Sequence, residues 1–370
     1  MSTTLDAQAS AARSELLAGE LEALSLQALL VDTAVDVRYL TGFTGSNGLA
    51  LIRAPGHGSH RFLTDFRYTL QAAAEVTGPF EQETVTGELR EALPGLLGPE
   101  GGRLGFDEAK MSVAAHRALQ QGLPDGWSLQ PCAGLVERLR AVKEAGEIAS
   151  IQAASELADA ALQTILEAGL VGRTEQEVAF ALETKMRALG AEAPSFPSIV
   201  ASGPHGALPH AEPRPVAIAP DVLVTIDWGA RHDGYCSDCT RTYATGEALP
   251  ELAREIYALV LSAQVRGVAA VKAGPSGREV DAAAREVIEA AGQGENFGHG
   301  LGHGVGLEVH EAPRLSRTAG EDPLREGNVV TVEPGVYLPD VLGVRIEDLL
   351  VVGASASDVL TGLPKDLTVI

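Results

Sequence analysis

The stretch Asn296-Phe-Gly-His-Gly-Leu-Gly-His-Gly-Val-Gly-Leu-Glu-Val-His310 constrains this chain more than any other. It sets three of the nine histidines within twelve residues, on a backbone nearly free of side chains. Glycine at 298, 300, 302, 304 and 306 lets the backbone bend or approach a bound group closely, at an entropic cost that ordinary strand sequence avoids. Such a segment presents His299, His303 and His310 rather than burying them. One histidine here would read as a solvated surface group, since imidazole titrates near neutrality; three together point to a site. The spacing is not that of an H-E-x-x-H helix, because position 314 is arginine, nor of G-x-G-x-x-G or a phosphate loop ending in Lys-Ser/Thr. If the segment holds a metal, further ligands must come from elsewhere.

Four apolar stretches offer them. Val222-Leu-Val-Thr-Ile-Asp-Trp-Gly229 reads as a strand ending in Asp227, and Tyr235-Cys-Ser-Asp-Cys-Thr-Arg-Thr-Tyr243 as an adjacent strand with Asp238 at its middle. Asn328-Val-Val-Thr-Val-Glu-Pro-Gly-Val-Tyr337 carries Glu333, and Gly343-Val-Arg-Ile-Glu-Asp-Leu-Leu-Val-Val352 carries Glu347. A carboxylate in so apolar a strand is costly unless paired or coordinated. Four of them beside a glycine-flanked histidine are hard to explain as solvated faces. Oxygen-rich sites with some nitrogen suit Mn²⁺, Co²⁺, Fe²⁺ or Zn²⁺ better than copper, and two divalent cations would balance the four negative charges. The spacing Cys236-x-x-Cys239 competes for zinc or thiol chemistry, but no second cysteine pair completes a structural zinc site. Strand alternation also sends the two thiols to opposite faces, so both are expected to be packed as small hydrophobes. His205 and His210 lie in a proline-rich irregular stretch, where turns often carry function.

At 370 residues the chain exceeds a comfortable single core, so two domains are expected. Residues 1–130 read as an α/β domain: a helix over about the first 25 residues, strands at 26–31, 48–53, 61–64 and 103–106, and helices at 68–76, 89–97 and 113–121. Residues 38–48 read as a turn-rich loop. His57, His60 and His116 are isolated there, so this domain is expected to shape, cover or dimerise rather than react. The turn residues around Pro124–Pro131 place the boundary near 130; residues 131–370 follow, opening with a long helical pattern over 133–168 and another helix over 174–189.

The net charge of −22 argues against a nucleic-acid partner, which needs clustered cations to displace counterions. No apolar run approaches the roughly 18–20 residues of a membrane helix, and the N-terminal residues lack the basic and apolar regions of a signal peptide. Three cysteines do not make a disulfide framework. A cytoplasmic protein acting on a small molecule or peptide is expected.

The motifs Ile226-Asp-Trp-Gly, Tyr235-Cys-Ser-Asp-Cys-Thr-Arg-Thr, Gly300-Leu-Gly-His-Gly-Val-Gly-Leu-Glu-Val-His-Glu-Ala-Pro, Val332-Glu-Pro-Gly and Gly343-Val-Arg-Ile-Glu-Asp, in that order, resemble the pita-bread metallopeptidases. The likeness is greatest to proline dipeptidases (prolidases) and the related Xaa-Pro aminopeptidases; it runs over about 140–352, and Tyr39-Leu-Thr-Gly-Phe43 resembles the N-terminal domain of that branch. The resemblance implies an α/β (α+β) architecture, with a pita-bread catalytic domain behind a smaller creatinase-like domain. It implies that Asp227 chelates one metal, that Asp238 and Glu347 bridge two, and that His303 and Glu333 complete the other, with manganese the first choice and cobalt or zinc the alternatives. His210, His299 and His310 fall on the family's further active-site histidines, and Arg345 on the arginine that orients the carboxylates. The implied reaction is hydrolysis of the bond preceding proline by a hydroxide bridging the two ions. Glu333 would shuttle the proton, His310 would stabilise the oxyanion, and His210 and His299 would line the proline side. Arg314, four residues past His310, is placed to pair a free carboxylate, which favours dipeptides over the longer substrates of an aminopeptidase. The resemblance also implies a homodimer. Methionine aminopeptidase, a creatinase-like amidinohydrolase and a metal-free peptide-binding protein are the competing readings; the last would have lost a ligand, and no ligand position is substituted.

Overall fold

The computed structural model describes residues 7–370, and the chain divides into two compact units, Met1–Arg140 and Ala141–Ile370. In chain order the first contains α1 (Ala7–Ala23), β1 (Ala28–Val31), α2 (Ala34–Thr41), β2 (Gly48–Arg53), β3 (His60–Asp65), α3 (Thr69–Glu75), β4 (Phe80–Val85), α4 (Leu89–Leu96), β5 (Gly102–Phe106), α5 (Val113–Gly122), β6 (Trp127–Pro131) and α6 (Leu135–Arg140). Its six strands form one mixed sheet in the order β4-β3-β2-β1-β5-β6. β1 is buried throughout because it lies inside this sheet, antiparallel to β2 and parallel to β5. Helices α4 and α5 cover the face carrying Leu30, Leu49, Leu51, Leu63 and Leu104.

Three departures from the sequence reading have clear causes. The expected turn-rich loop begins inside a helix: α2 runs to Thr41 and is stopped by Gly42 in the left-handed region, φ 83°. The supposed boundary turn at Trp127–Pro131 is the edge strand β6, parallel to β5 and tied down by the Trp127 indole donating to Gly98 O at 2.7 Å. The helical pattern over 133–168 is two helices, because the chain breaks before a capping box in which Glu144 and Glu147 satisfy each other's amides. The units therefore divide after Arg140, where the sequence placed a boundary near 130. The first six residues of the expected opening helix lie outside the described residues.

The second unit contains α7 (Ala145–Glu167), α8 (Glu175–Leu189), β7 (Ala193–Pro194), β8 (Ile199–Ser202), β9 (Leu223–Trp228), β10 (Ala230–His232), β11 (Tyr235–Cys236), β12 (Cys239–Ala244), α9 (Glu251–Ala270) and α10 (Gly277–Ala290). It continues with β13 (Gly302–Gly304), β14 (Glu311–Leu315), β15 (Val329–Val332), β16 (Gly335–Leu338), β17 (Leu342–Arg345), β18 (Asp348–Val352) and β19 (Ser357–Val359). Two halves of similar make result. Helices α7 and α8 pack through Ala158, Leu162, Val178 and Leu182 on the sheet β12-β9-β8. Helices α9 and α10 pack through Val260, Ala263, Val280 and Ala284 on residues of β15, β16, β17 and β18. Each helix pair buries the apolar face of its strands and leaves the other face to carry polar groups. Cys236 and Cys239 are packed in separate apolar clusters as free thiols, separated by the break between β11 and β12, which belong to different sheets, rather than by alternation along one strand. Among the described residues no helix is long and apolar enough to cross a membrane.

Candidate active site

Three of the four acidic groups arrive differently from the sequence expectation. Asp227 does lie in a strand, β9, with Thr240 of β12 as its cross-strand partner. Asp238 sits in the break between β11 and β12, Glu333 just past the end of β15, and Glu347 in the step from β17 to β18. Ladder interruptions re-aim side chains that regular alternation would send to fixed faces, which is how strands of different sheets turn their carboxylates to one place.

The outcome is a carboxylate cluster. One ligand oxygen from each of Asp227, Asp238 and Glu347 lies within 4.8 Å of the others. Asp238 is 5% and Glu347 1% exposed. Burial, and then repulsion from neighbouring carboxylates (Glu347 on Asp238, Glu333 and Asp227 on Glu347), drive the pKa values of Asp238 and Glu347 well above the ordinary carboxylate range; Asp227 is raised chiefly by burial. Asp227 Oδ1 and Glu347 Oε1 are buried without a hydrogen-bond partner. Orphaned oxygens on crowded, buried carboxylates are the state a divalent cation relieves, so these residues fit a metal.

His303 stands on the other side of Asp238. Its Nε2 is 3.6 Å from Asp238 Oδ2 and 3.3 Å from Glu333 Oε1. Its Nδ1 faces the Gly304 carbonyl at 3.0 Å and must carry the hydrogen, since a carbonyl only accepts. In the neutral ring this leaves the Nε2 lone pair pointed at the carboxylates, the arrangement of a metal-binding imidazole. Burial opposes protonation of His303, but the Glu333 carboxylate outweighs it and raises the pKa. Glu333, also opposed by burial, is held down to about 2 by its hydrogen bond with His303, and Thr331 Oγ1 donates to it at 3.2 Å.

The glycines of the central segment are used for close approach, since none between 298 and 306 has a positive φ. A Cβ at Gly302 would collide with the Thr331 carbonyl, and one at Gly304 with that of Ala312. β13 thus lies tightly between β14 and β15, carrying His303 to Glu333.

Arg345, buried, links the cluster to its surroundings. It donates through Nη2 to Asp227 Oδ2 at 2.6 Å, through Nε to Thr240 Oγ1 at 3.0 Å, and through Nη1 to the Tyr337 hydroxyl at 2.8 Å and Pro209 O at 3.1 Å. Thr240 Oγ1 in turn donates to Glu347 Oε2 at 2.7 Å. Tyr337 lies 3.0 Å from His299 Nε2, and His299 Nδ1 is 2.8 Å from Gly300 O. The donors run in one direction, Arg345 to Tyr337 to His299 to the Gly300 carbonyl, so both ring nitrogens of His299 are used within the protein. Burial lowers its pKa and keeps it neutral. Sequence reasoning missed Thr240 and Tyr337; each lies in a quoted motif, but only the hydrogen bonds distinguish them from strand residues.

His310 packs edge-on against His303, with ring centroids 4.4 Å apart. Burial and the neighbouring His303 lower its pKa. His210 is exposed, follows the Pro209 carbonyl that Arg345 holds, and lies close enough to oppose protonation of His310. Arg314 is exposed on β14 opposite His303, and among the described residues it forms no ion pair. The structure therefore brings together the five sequence-predicted ligands, Arg345, His299 and His310, with His210 near His310; Arg314 stands on a neighbouring strand position.

The sequence matches Metallopeptidase family M24 over residues 149–354 and the Creatinase/Prolidase N-terminal domain over residues 13–142. The chain belongs to metallopeptidase family M24, whose members use divalent metal ions; its second unit is the family's pita-bread domain and its first the creatinase-like domain. It is 37% identical to the Xaa-Pro dipeptidase of Pyrococcus horikoshii, over 93% of this chain and 95% of that protein. The solved Xaa-Pro dipeptidase from Bacillus anthracis superposes with a TM-score of 0.92 at 39% identity, covering 97% of this chain and 99% of the other. The X-Pro aminopeptidase from Thermotoga maritima superposes with a TM-score of 0.87 at 35% identity, covering 97% and 100%.

Proposed function

We propose that this chain is a cytoplasmic Xaa-Pro dipeptidase that works with two divalent cations, manganese in the first instance. The observation that carries this reading is the union, around Asp238, of a buried three-carboxylate cluster with the His303–Glu333 pair. Asp227, Asp238 and Glu347 would hold one cation; His303 and Glu333, with Asp238 and Glu347 shared, would hold the other. When bound, the cations supply a water nucleophile that deprotonates near neutrality and a Lewis acid for the scissile carbonyl.

The remaining work falls to the chain's own side chains. Glu333, a carboxylate beside His303 at the edge of the cluster, can accept a proton and return it to the departing proline nitrogen. His310, packed against His303, can donate N–H to the oxygen on which charge develops. An Xaa-Pro bond has no N–H to recognise, so the proline side needs a surface rather than an acceptor. His299, with both nitrogens occupied, offers its carbon edge there, and His210 flanks His310. Arg314 is free to pair the proline carboxylate. The free thiols agree with a reducing compartment. We further propose a homodimer in which the first unit shapes the partner's substrate entrance.

The likeness to the Thermotoga aminopeptidase supports a second reading, action on longer Xaa-Pro peptides. A matched pair decides: an Xaa-Pro dipeptide and the same sequence extended by two residues, given to metal-stripped protein with Mn²⁺ restored. Cleavage of the dipeptide alone is expected. Preference for the extended peptide would make the protein an aminopeptidase, and inactivity on both would leave a binding protein.

A further inference from the structure

The five glycines from 298 to 306 leave no side chains to order their own backbone, yet His299 keeps its ring between a carbonyl and a hydroxyl. From Gly302 onward the ladders to β14 and β15 supply the order. The residues before it are held chiefly from helix α10, with Leu301 O also accepting from Glu333 N at 2.8 Å. Asp281 and Arg285, 1% and 5% exposed, face each other one turn apart. Two parallel bonds join them, Nε to Oδ2 at 2.7 Å and Nη2 to Oδ1 at 2.8 Å. The remaining donors of the guanidinium reach forward: Nη1 to Phe297 O at 2.9 Å and Nη2 to His299 O at 2.7 Å. Asp281 Oδ1 accepts from Leu301 N at 3.0 Å, and the guanidinium stacks on the Phe297 ring at 4.0 Å. Two side chains thus grip the main chain at 297, 299 and 301, on alternate residues of a segment that glycine would otherwise leave loose.

We propose that Asp281 and Arg285 are positioning residues for the substrate site, clamping the main chain of residues 297–301 so that His299 presents its carbon edge to the proline ring. The role of His299 rests on the Xaa-Pro reading; the clamp itself does not. Arg285 is suited to this because its planar fork makes four bonds at once, two to the carboxylate and one to each carbonyl, where an ammonium has only three donors and no fork. A buried ion pair serving stability alone would be felt throughout the fold rather than at His299.

The test uses the full-length, metal-loaded protein and Arg285→Lys, with Asp281→Asn/Arg285→Gln as a neutral hydrogen-bonding pair should the lysine variant not fold. Amide exchange over residues 297–301 is expected to rise about tenfold or more while α10 stays protected. With an Xaa-Pro dipeptide, KM should rise about tenfold with little change in kcat, because a proline-ring contact made equally in ground and transition states is what is lost. In a His299→Ala background the same substitution should add nothing further to KM. Unchanged exchange at 297–301 overturns the clamp whatever the activity, and a KM effect that adds fully to that of His299→Ala overturns its action through His299. A wild-type protein inactive on every Xaa-Pro peptide would sink the proposed function, and the exchange measurement would still decide the clamp.

Discussion

Thr240 holds a small group at a crowded place: its hydroxyl donates to Glu347 Oε2 and accepts from Arg345 Nε. Valine has the same shape and neither bond, so Thr240→Val leaves another oxygen of Glu347 without a donor and Arg345 with an unspent N–H. Groups that orient metal ligands from behind govern affinity by about 10- to 100-fold. Calorimetric titration of the metal-stripped variant with Mn²⁺ should show a loss in that range with the fold intact; wild-type affinity would mean that Thr240 is only a strand residue. Residue identity made the acidic cluster legible beforehand, because a carboxylate among Val, Ile and Leu needs a compensating charge. It left Thr240 and Tyr337 unremarked, since a threonine or tyrosine in a strand is ordinary. His299 is a third case: its place near the site was foreseen, but the engagement of both its nitrogens depends on a tyrosine 38 residues away.

The loop carrying His210 is governed from helix α8. Glu175, fully buried at the start of that helix, accepts from Ser202 N and Oγ, from Arg214 N, Nε and Nη2, and from His205 Nδ1, all within 3.0 Å. Burial opposes its ionisation, but the bonds from Arg214 and Ser202 outweigh it and hold the carboxyl at about 2 rather than 4.5. A carboxylate whose pKa falls on folding stabilises the native state above its unfolded value, and that contribution disappears as pH drops through the folded one. Glu175→Gln should therefore lower stability by up to about 3 kcal/mol above pH 4.5, with the difference from wild type shrinking toward pH 2. Denaturant titrations across that range read it out, and a difference independent of pH would mean that the charge of Glu175 is not what matters. The main elements around this helix were readable from periodicity and caps. The strand β6 and the break between α6 and α7 were not, because an edge strand rich in turn residues and two helices in one apolar register look alike without their neighbours.

Each unit has its own core, and the five proposed ligands all belong to the second. Chelation should thus lower the thermal transition of Ala141–Ile370 and leave that of Met1–Arg140 in place, and Mn²⁺ at a hundredfold excess over its dissociation constant should restore about 2.7 kcal/mol. Scanning calorimetry with and without chelator checks this; a uniform shift of both transitions would place metal-linked stability outside the carboxylate cluster. The sequence by itself determined which residues are chemically out of place: acidic groups in apolar runs and histidines on a glycine backbone. It could do so because burying a charge has a penalty that local composition already reveals. Only the tertiary structure decided how those residues meet. Asp238, Glu333 and Glu347 aim together because their ladders break beside them, and the glycine segment holds its shape because Asp281 and Arg285 reach it from a helix that carries no part of the motif. Convergence of this kind depends on contacts between residues far apart in the chain, which periodicity within a short window does not encode.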